Sequence, residues 1–245
     1  MYDERRTSRV SRLAVALSVV STLALAAAGP LHHAGVLGLA GVFTQLKWSV
    51  YGALAALVLG MVGLLVDARH WTSMRTAATA IMLSMLATGS IAVIAWRGSR
   101  VPAIHDITTD TVEPPAFLTV LPLRAGALNP VDYGGPAVAA KQQQAYPDIV
   151  PLRLNVPPAR AFDRALAAAK AKGWDVVASD PAGGRIEATD TTFWFGFKDD
   201  VVVRVTGEPA GSRVDVRSLS RVGGGDLGTN ASRVRAFLAT VKAGS

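Results

Sequence analysis

The sequence predicts an α+β protein in two parts: three N-terminal transmembrane helices, then an antiparallel sheet of about four to five strands with two helices packed on one face. Three observations carry that expectation. The first 96 residues contain three uncharged apolar runs near the length of a bilayer crossing. A proline-rich stretch without periodicity follows them. Beyond Pro158, alternating strand patterns lie between two segments of helical spacing.

Composition makes the same division. The 245 residues are 50% hydrophobic and 18% charged, with no cysteine and a formal charge of +7. Cut before Arg97, the chain carries 7 Lys+Arg and 3 Asp+Glu on one side and 18 and 15 on the other, so the parts hold +4 and +3. The basic surplus is therefore not one patch, and a purely cytosolic globular protein is excluded. The remainder after the apolar runs is long enough for one core. Lack of cysteine excludes disulfides, thiolate metal sites and a cysteine nucleophile, and fits an oxidising compartment.

The spans are placed at about 13–29, 48–66 and 76–96, forming a membrane anchor over 1–96. At 1.5 Å per residue, about 20 residues cross a hydrocarbon core of about 30 Å. Arg5, Arg6, Arg9 and Arg12 before an apolar stretch ending Ala26-Ala27-Ala28 also resemble a cleavable secretory signal; a retained first helix gives the better charge distribution. With the N-terminus in the cytoplasm, Arg5, Arg6, Arg9, Arg12, Arg69 and Arg75 lie inside and Lys47 alone lies in the first outer loop. Three crossings then put the remainder outside, which for a bacterial inner membrane is the periplasm. Arg97 and Arg100 oppose that orientation but translocate with their domain.

No Asp, Glu, Lys or Arg interrupts the spans, which argues against a transporter or channel. Gly52, Ala56, Gly60 and Gly63 place small residues at helix-packing spacing. His32 and His33 are read as an interfacial loop rather than a metal pair, and Trp48, Trp71 and Trp96 as headgroup-level anchors near the span ends.

The outer α+β domain covers 97–245 and begins with a proline-rich arm, 97–158. Each Pro pushes its predecessor toward extended or turn geometry, so the arm is expected to be irregular apart from a short helix over Ala137–Ala145. Ala159–Lys172 reads as a helix, with Pro157-Pro158 at its start and Gly173 at its end. Trp174–Ala178 is a short strand, Asp180–Gly184 a turn, and Arg185–Phe197 one long strand. Lys198-Asp199-Asp200 is expected at a hairpin tip. Val201–Thr206 and Arg213–Ser220 are strands joined by Gly207–Gly211, and Thr229–Val241 is a closing helix.

Several blocks in this domain carry a resemblance. Ile104–Asp110, Asn129-Pro130, Gln144–Ile149, Gly196–Val205 and Asp215–Gly223, running into Asp226–Ala231, resemble domain-of-unknown-function family 1499 over about 101–238. The resemblance implies one envelope-type domain in which the arm belongs with the sheet. It supplies no catalytic residues to carry over.

The candidate chemistry is sparse. His105, Asp106 and Asp110 are the densest polar cluster of the arm, suited in principle to general-base or metal chemistry, but they match no zinc or hydrolase spacing. Asp199 and Asp200 are paired carboxylates read as turn formers. On the last strand Arg213, Asp215, Arg217, Leu219 and Arg221 share one parity, and Arg204 is expected on the same face. That face is either solvated, with cross-strand ion pairs, or covered by the arm, where Arg204, Arg217 and Arg221 would line a cleft for a carboxylate or phosphate. The glycine loop around Gly224 and Gly225 feeds a helix N-terminus, with Arg233 nearby and Thr229 as the expected cap. It lacks a P-loop Lys, and Asp226 puts a negative charge where an anion would bind. Phe193, Phe195 and Phe197 are expected on one face of the long strand and Trp194 on the other.

The expected function is that of an integral membrane protein presenting a periplasmic domain for binding or envelope assembly, without catalysis, cofactor or metal. Its expected partners are the lipid bilayer, other envelope proteins, or an apolar or anionic small ligand, and not nucleic acid. The alternatives are a membrane-tethered hydrolase or metal-dependent enzyme built on His105, Asp106 and Asp110, and a carrier of an apolar ligand with a closed pocket between helices and sheet.

Overall fold

A computed structural model describes residues 8–66, 68 and 70–244. The orientation signal from Arg5, Arg6 and Arg69 lies outside the described residues. The chain divides into two compact units, residues 1–97 with 193–196, and residues 98–192 with 197–245.

The first unit is built on three long helices, α1 (Arg9–His33), α2 (Leu39–Val66) and α3 (Trp71–Gly98). All three are long and apolar enough to cross a membrane. Each outruns its uncharged run. The 28 residues of α2 extend about 42 Å, so Lys47 and Trp48 fall inside the helix, two turns beyond its start. His32 and His33 form the last turn of α1 rather than a loop, and the His32 ring bonds the Leu37 carbonyl at 2.8 Å. Small side chains make the helix contacts: Ala14, Ser18 and Ser21 of α1, Ala53, Ala56, Gly60 and Gly63 of α2, and Ala77, Ala80, Ser84 and Ala87 of α3 are buried. A Cβ on Gly60 would meet Ile81 Cγ1 at 2.8 Å, and one on Gly63 would meet Ser11 Oγ at 2.7 Å. Glycine at these positions lets the helix backbones approach closely.

The second unit contains a six-stranded antiparallel sheet: β1 (Asp106–Thr108), β2 (Leu152–Leu154), β3 (Asp175–Asp180), β4 (Arg185–Thr191), β5 (Lys198–Glu208) and β6 (Gly211–Ser220). The order is β1-β6-β5-β4-β3, with β2 also pairing β6. β1 lies along the late residues of β6 and β2 along its early ones, so two short arm strands share one edge. The arm is thus less irregular than its prolines suggest. Three-residue strands are too short to show alternation, which is why they escape a pattern search.

Helices α5 (Pro158–Ala171) and α6 (Thr229–Ala243) cover one face of the sheet, and α4 (Gly135–Ala145) belongs to the arm. Ala161, Phe162, Ala165, Ala168 and Ala169 of α5 and Ala231, Val234, Phe237 and Val241 of α6 pack on Ile186, Ala188, Val201, Val203, Val205, Val214 and Val216. Trp174 stacks on Phe237 with centroids 5.1 Å apart. Full burial of each Val or Phe contributes about 1.5–3 kcal/mol, so this layer is the main core.

The long strand ends earlier than its aromatic alternation implies. β4 stops at Thr191, and residues 193–195 form a turn followed by Gly196 at φ +68°. Thr192 N–H donates to the Phe197 carbonyl at 2.8 Å and Phe197 N–H to Thr192 Oγ1 at 2.9 Å, closing the hairpin. Lys198-Asp199-Asp200 accordingly open β5 instead of sitting at a tip. The alternation of large side chains continued through a turn whose geometry only Gly196 announces.

Candidate functional site

Strand register decides where each candidate points. Val202 pairs with Arg217, Arg204 with Asp215 and Asp200 with Leu219, so Asp200, Arg204, Asp215 and Arg217 share one face, as parity predicts. The arm covers that face. Phe117 and Val120 pack on Val202 and Leu219 in a small second core. The solvated-face alternative is thereby corrected: Arg217 is buried and Arg204, Arg213 and Arg221 are only partly exposed, and their counter-charges come from within the protein.

Each arginine is paired. Arg217, 3% exposed, grips Asp106 with Nε and Nη2 at 2.9 and 2.8 Å, donates to the Val131 and Pro115 carbonyls, and lies over the Phe117 and Tyr133 rings. Arg204 and Arg213 share Asp110 at 2.9 and 2.7 Å and Asp215 at 3.0 Å each. Asp200, fully buried, accepts from Arg124 Nη1 at 2.5 Å, from Arg221 Nε and Nη2 at 2.9 and 2.8 Å, and from Thr189 Oγ1 at 2.8 Å. Glu187, also fully buried, accepts the backbone N–H groups of Leu118, Thr119 and Val120 at 2.9–3.0 Å. It thereby pins the arm just before a short 3-10 helix, Leu121–Arg124.

At Asp110, burial pushes the carboxyl up, but the N–H groups of Glu113 and Val112 and the charges of Arg213 and Arg204 outweigh it and hold it below the usual range. Burial, reinforced by the Asp106 charge, pushes the Tyr133 phenol up to about 12.

The His105/Asp106/Asp110 cluster does not converge. Asp106 is committed to Arg217, and Asp110 to Arg204 and Arg213. His105 sits in the chain just before β1 and contributes its carbonyl, which accepts from Ser220 N–H and Asn230 Nδ2, both at 3.0 Å. Asp199 and Asp200 also part company, since neighbours in a strand face opposite ways. Asp200 lies under the arm, whereas Asp199 accepts from Arg233 Nη2 at 2.6 Å beneath α6. Arg233 additionally holds Asp190 at 2.7 Å and Ser218 Oγ at 3.1 Å. Among the described residues, no group of three or more His, Cys, Asp or Glu is placed to hold a metal ion.

The glycine loop is filled from within. The Asp226 carboxylate accepts Gly228 N–H at 2.9 Å and Asn230 N–H at 2.7 Å, taking the place at the α6 N-terminus that an anion would occupy. Gly228, not Thr229, holds the N-cap position, and the Asp226 carboxylate satisfies the first-turn N–H groups. Burial, with the nearby Asp199 charge, raises its pKa even though these N–H bonds pull the other way. Gly225 lies against the Ala103 backbone and Gly224 has open space beside it.

Several residues of this network carry no signal in the sequence. Arg124 and Glu187 are isolated charges in segments that pattern would leave at a surface. Gln142 of α4 is another: its Nε2 donates to the Thr108 carbonyl at 2.6 Å and its Oε1 accepts Thr108 N–H at 3.0 Å, so a side-chain amide completes the β1 ladder. The face also has a cleft of about 430 Å³ lined by Thr109, Asp110, Thr111, Val112, Glu113, Pro151 and Arg213.

Comparison with known proteins adds one finding. A family model described as a protein of unknown function (DUF1499) matches residues 106–241. No curated protein and no solved structure matches the chain.

Proposed function

Since the chain belongs to the DUF1499 family, a family of unknown function, we infer its role from its own architecture: an integral membrane protein that presents the α+β domain on the periplasmic side of a bacterial inner membrane, as a binding or envelope-assembly module rather than a catalyst. The observation that carries this reading is the use made of the candidate carboxylates. Asp106, Asp110, Asp199 and Asp200 each serve as counter-ion to an arginine, so a proton-transfer or metal-binding role would first require breaking an ion pair, a buried one at Asp106, Asp199 and Asp200 and a partly exposed one at Asp110.

The same pairing bears on ligand class. Arg204, Arg217 and Arg221 are neutralised by the domain's own aspartates, so an anionic small ligand would have to displace a carboxylate. Packed side chains occupy the layer between helices and sheet where an apolar ligand would sit. A protein partner is favoured, and the cleft bordered by Asp110, Glu113 and Arg213, with Val112 protruding beside it, is where we place its contact. Orientation rests on Arg5, Arg6, Arg9, Arg12, Arg69 and Arg75 against Lys47.

Two fusions at the C-terminus test the topology. A periplasm-dependent phosphatase is expected to be active there and a cytoplasm-dependent fluorescent protein dark; the converse pattern overturns the reading. A photo-crosslinking residue at position 112 is expected to trap an envelope protein in intact cells that the same residue at position 126 does not. No adduct at 112 counts against the binding role.

A further inference from the structure

One end of the sheet carries a set of exposed apolar side chains that the core does not use. The β4–β5 hairpin places Phe193, 89% exposed, and Trp194, 45% exposed, on its turn. The loop between β6 and α6 places Leu227, 58% exposed, at φ +55°, a left-handed conformation unusual for a branched residue. The hairpin turn is closed by the paired Thr192–Phe197 hydrogen bonds, so Phe193 is held out by a defined structure, with Trp194 half-exposed beside it. In water an exposed Phe and Trp on a rigid turn gain nothing, whereas at a bilayer surface aromatic rings are favoured at headgroup level.

Chain connectivity supplies the occupant. Only residues 99–105 separate the end of α3 at Gly98 from the start of β1 at Asp106, a tether that spans at most about 25 Å. β1 enters opposite the last residues of β6, Asp106 pairing with Leu219. Ser220 pairs with Asp199 at the start of β5, and Lys198 with Thr191 at the end of β4. The tether, the aromatic hairpin and the Leu227 loop therefore leave the sheet from one and the same end. The turns at the other end, Pro181–Gly184 and Pro209-Ala210, carry no aromatic residue. Lys198 and, in the stretch leading out of the helices, Arg97 and Arg100 add positive charge suited to anionic headgroups.

We propose that the hairpin turn 193–196, seconded by Leu227, inserts into the headgroup–acyl boundary of the membrane that α1, α2 and α3 span, so that the domain is fastened to the bilayer at a second point besides its tether. This rests on the reading of those helices as spans.

The absence of cysteine makes the test direct. The full chain carrying Phe193→Cys or, as the comparison, Val112→Cys is labelled with an environment-sensitive fluorophore and reconstituted into vesicles containing anionic lipid. Val112, like Phe193, is 89% exposed, so neither change removes a packed side chain. The probe at 193 is expected to shift to shorter wavelength and to be quenched more by lipids labelled near the headgroup than by lipids labelled at the chain end, while the probe at 112 stays water-like and unquenched. Quenching equal to that at 112 overturns the proposal, as does a shift without lipid quenching, which reports contact with protein instead. Alkaline extraction separates the two layers of the argument: a chain that stays in the vesicles with an unquenched probe at 193 refutes the insertion alone, and a chain that is extracted refutes the spans as well.

Discussion

Replacing Asp200 by Asn keeps its shape and removes its charge from a fully buried site. Two guanidinium groups then lose their shared counter-ion: Arg124, whose side chain is 5% exposed, and Arg221, whose side chain is 14% exposed. Removing one partner of a buried pair costs about 3–5 kcal/mol, because the remaining charge keeps its desolvation penalty. For a domain of this size each kcal/mol shifts the melting temperature by about 2–4 °C, so Asp200→Asn is expected to lower it by about 6–20 °C. The full chain in detergent, followed by near-ultraviolet circular dichroism, reports aromatic packing, the Trp174–Phe237 stack included. Arg235→Ala provides the internal reference. Its partner Asp148 is 55% exposed and Arg235 itself 42%, so that pair is worth at most about 1 kcal/mol. If Asp200→Asn costs no more than Arg235→Ala, the buried network does not hold the arm to the sheet, and the reasoning fails.

Other expectations follow from single contacts. Gln142→Ala strips the Thr108 N–H and carbonyl of their partner and is expected to cost about 1–3 kcal/mol, with faster amide exchange at Thr108. Tyr133→Phe should be neutral or stabilising by about 1 kcal/mol in thermal melts, since the Tyr133 hydroxyl is buried with no partner among the described residues. Gly60→Ala forces a methyl group against Ile81 and is expected to cost about 1–3 kcal/mol in the helical unit, read from its melting in detergent. Asp110 has its pKa depressed on folding, so its contribution is present above the unfolded value near 3.8 and fades as pH falls through the lower folded one. Melts across the acid range should show that loss in the native chain and a smaller one in Asp110→Asn.

What was legible in the sequence follows the physics of repetition. Uncharged runs revealed the three helices, and alternation revealed β5, β6 and the valine face beneath α5 and α6, because these features repeat along the chain and need no distant partner. Strand parity also placed Arg204, Asp215 and Arg217 on one face. What lay on that face was not legible: the arm is held there by Glu187 accepting three amides and by Arg124 reaching Asp200, contacts between residues 67–76 positions apart. The His105/Asp106/Asp110 cluster misled for the converse reason. Adjacency in sequence suggested a shared site, but Asp106 faces the arm in β1, Asp110 lies beyond the strand's end, and each found a different arginine. Asp226 was legible as the negative charge at the anion position, because an acidic residue three positions before the helix is its own anion, whereas Thr229 as the cap was not borne out.

The side of the membrane that holds the sheet domain decides what it can bind. With no native cysteine, Val112→Cys is the single thiol of the chain and stands fully at the surface. A membrane-impermeant maleimide applied to intact cells is predicted to label it as completely as in lysed cells. Labelling that appears only after the inner membrane is broken would place the domain in the cytoplasm and contradict the account.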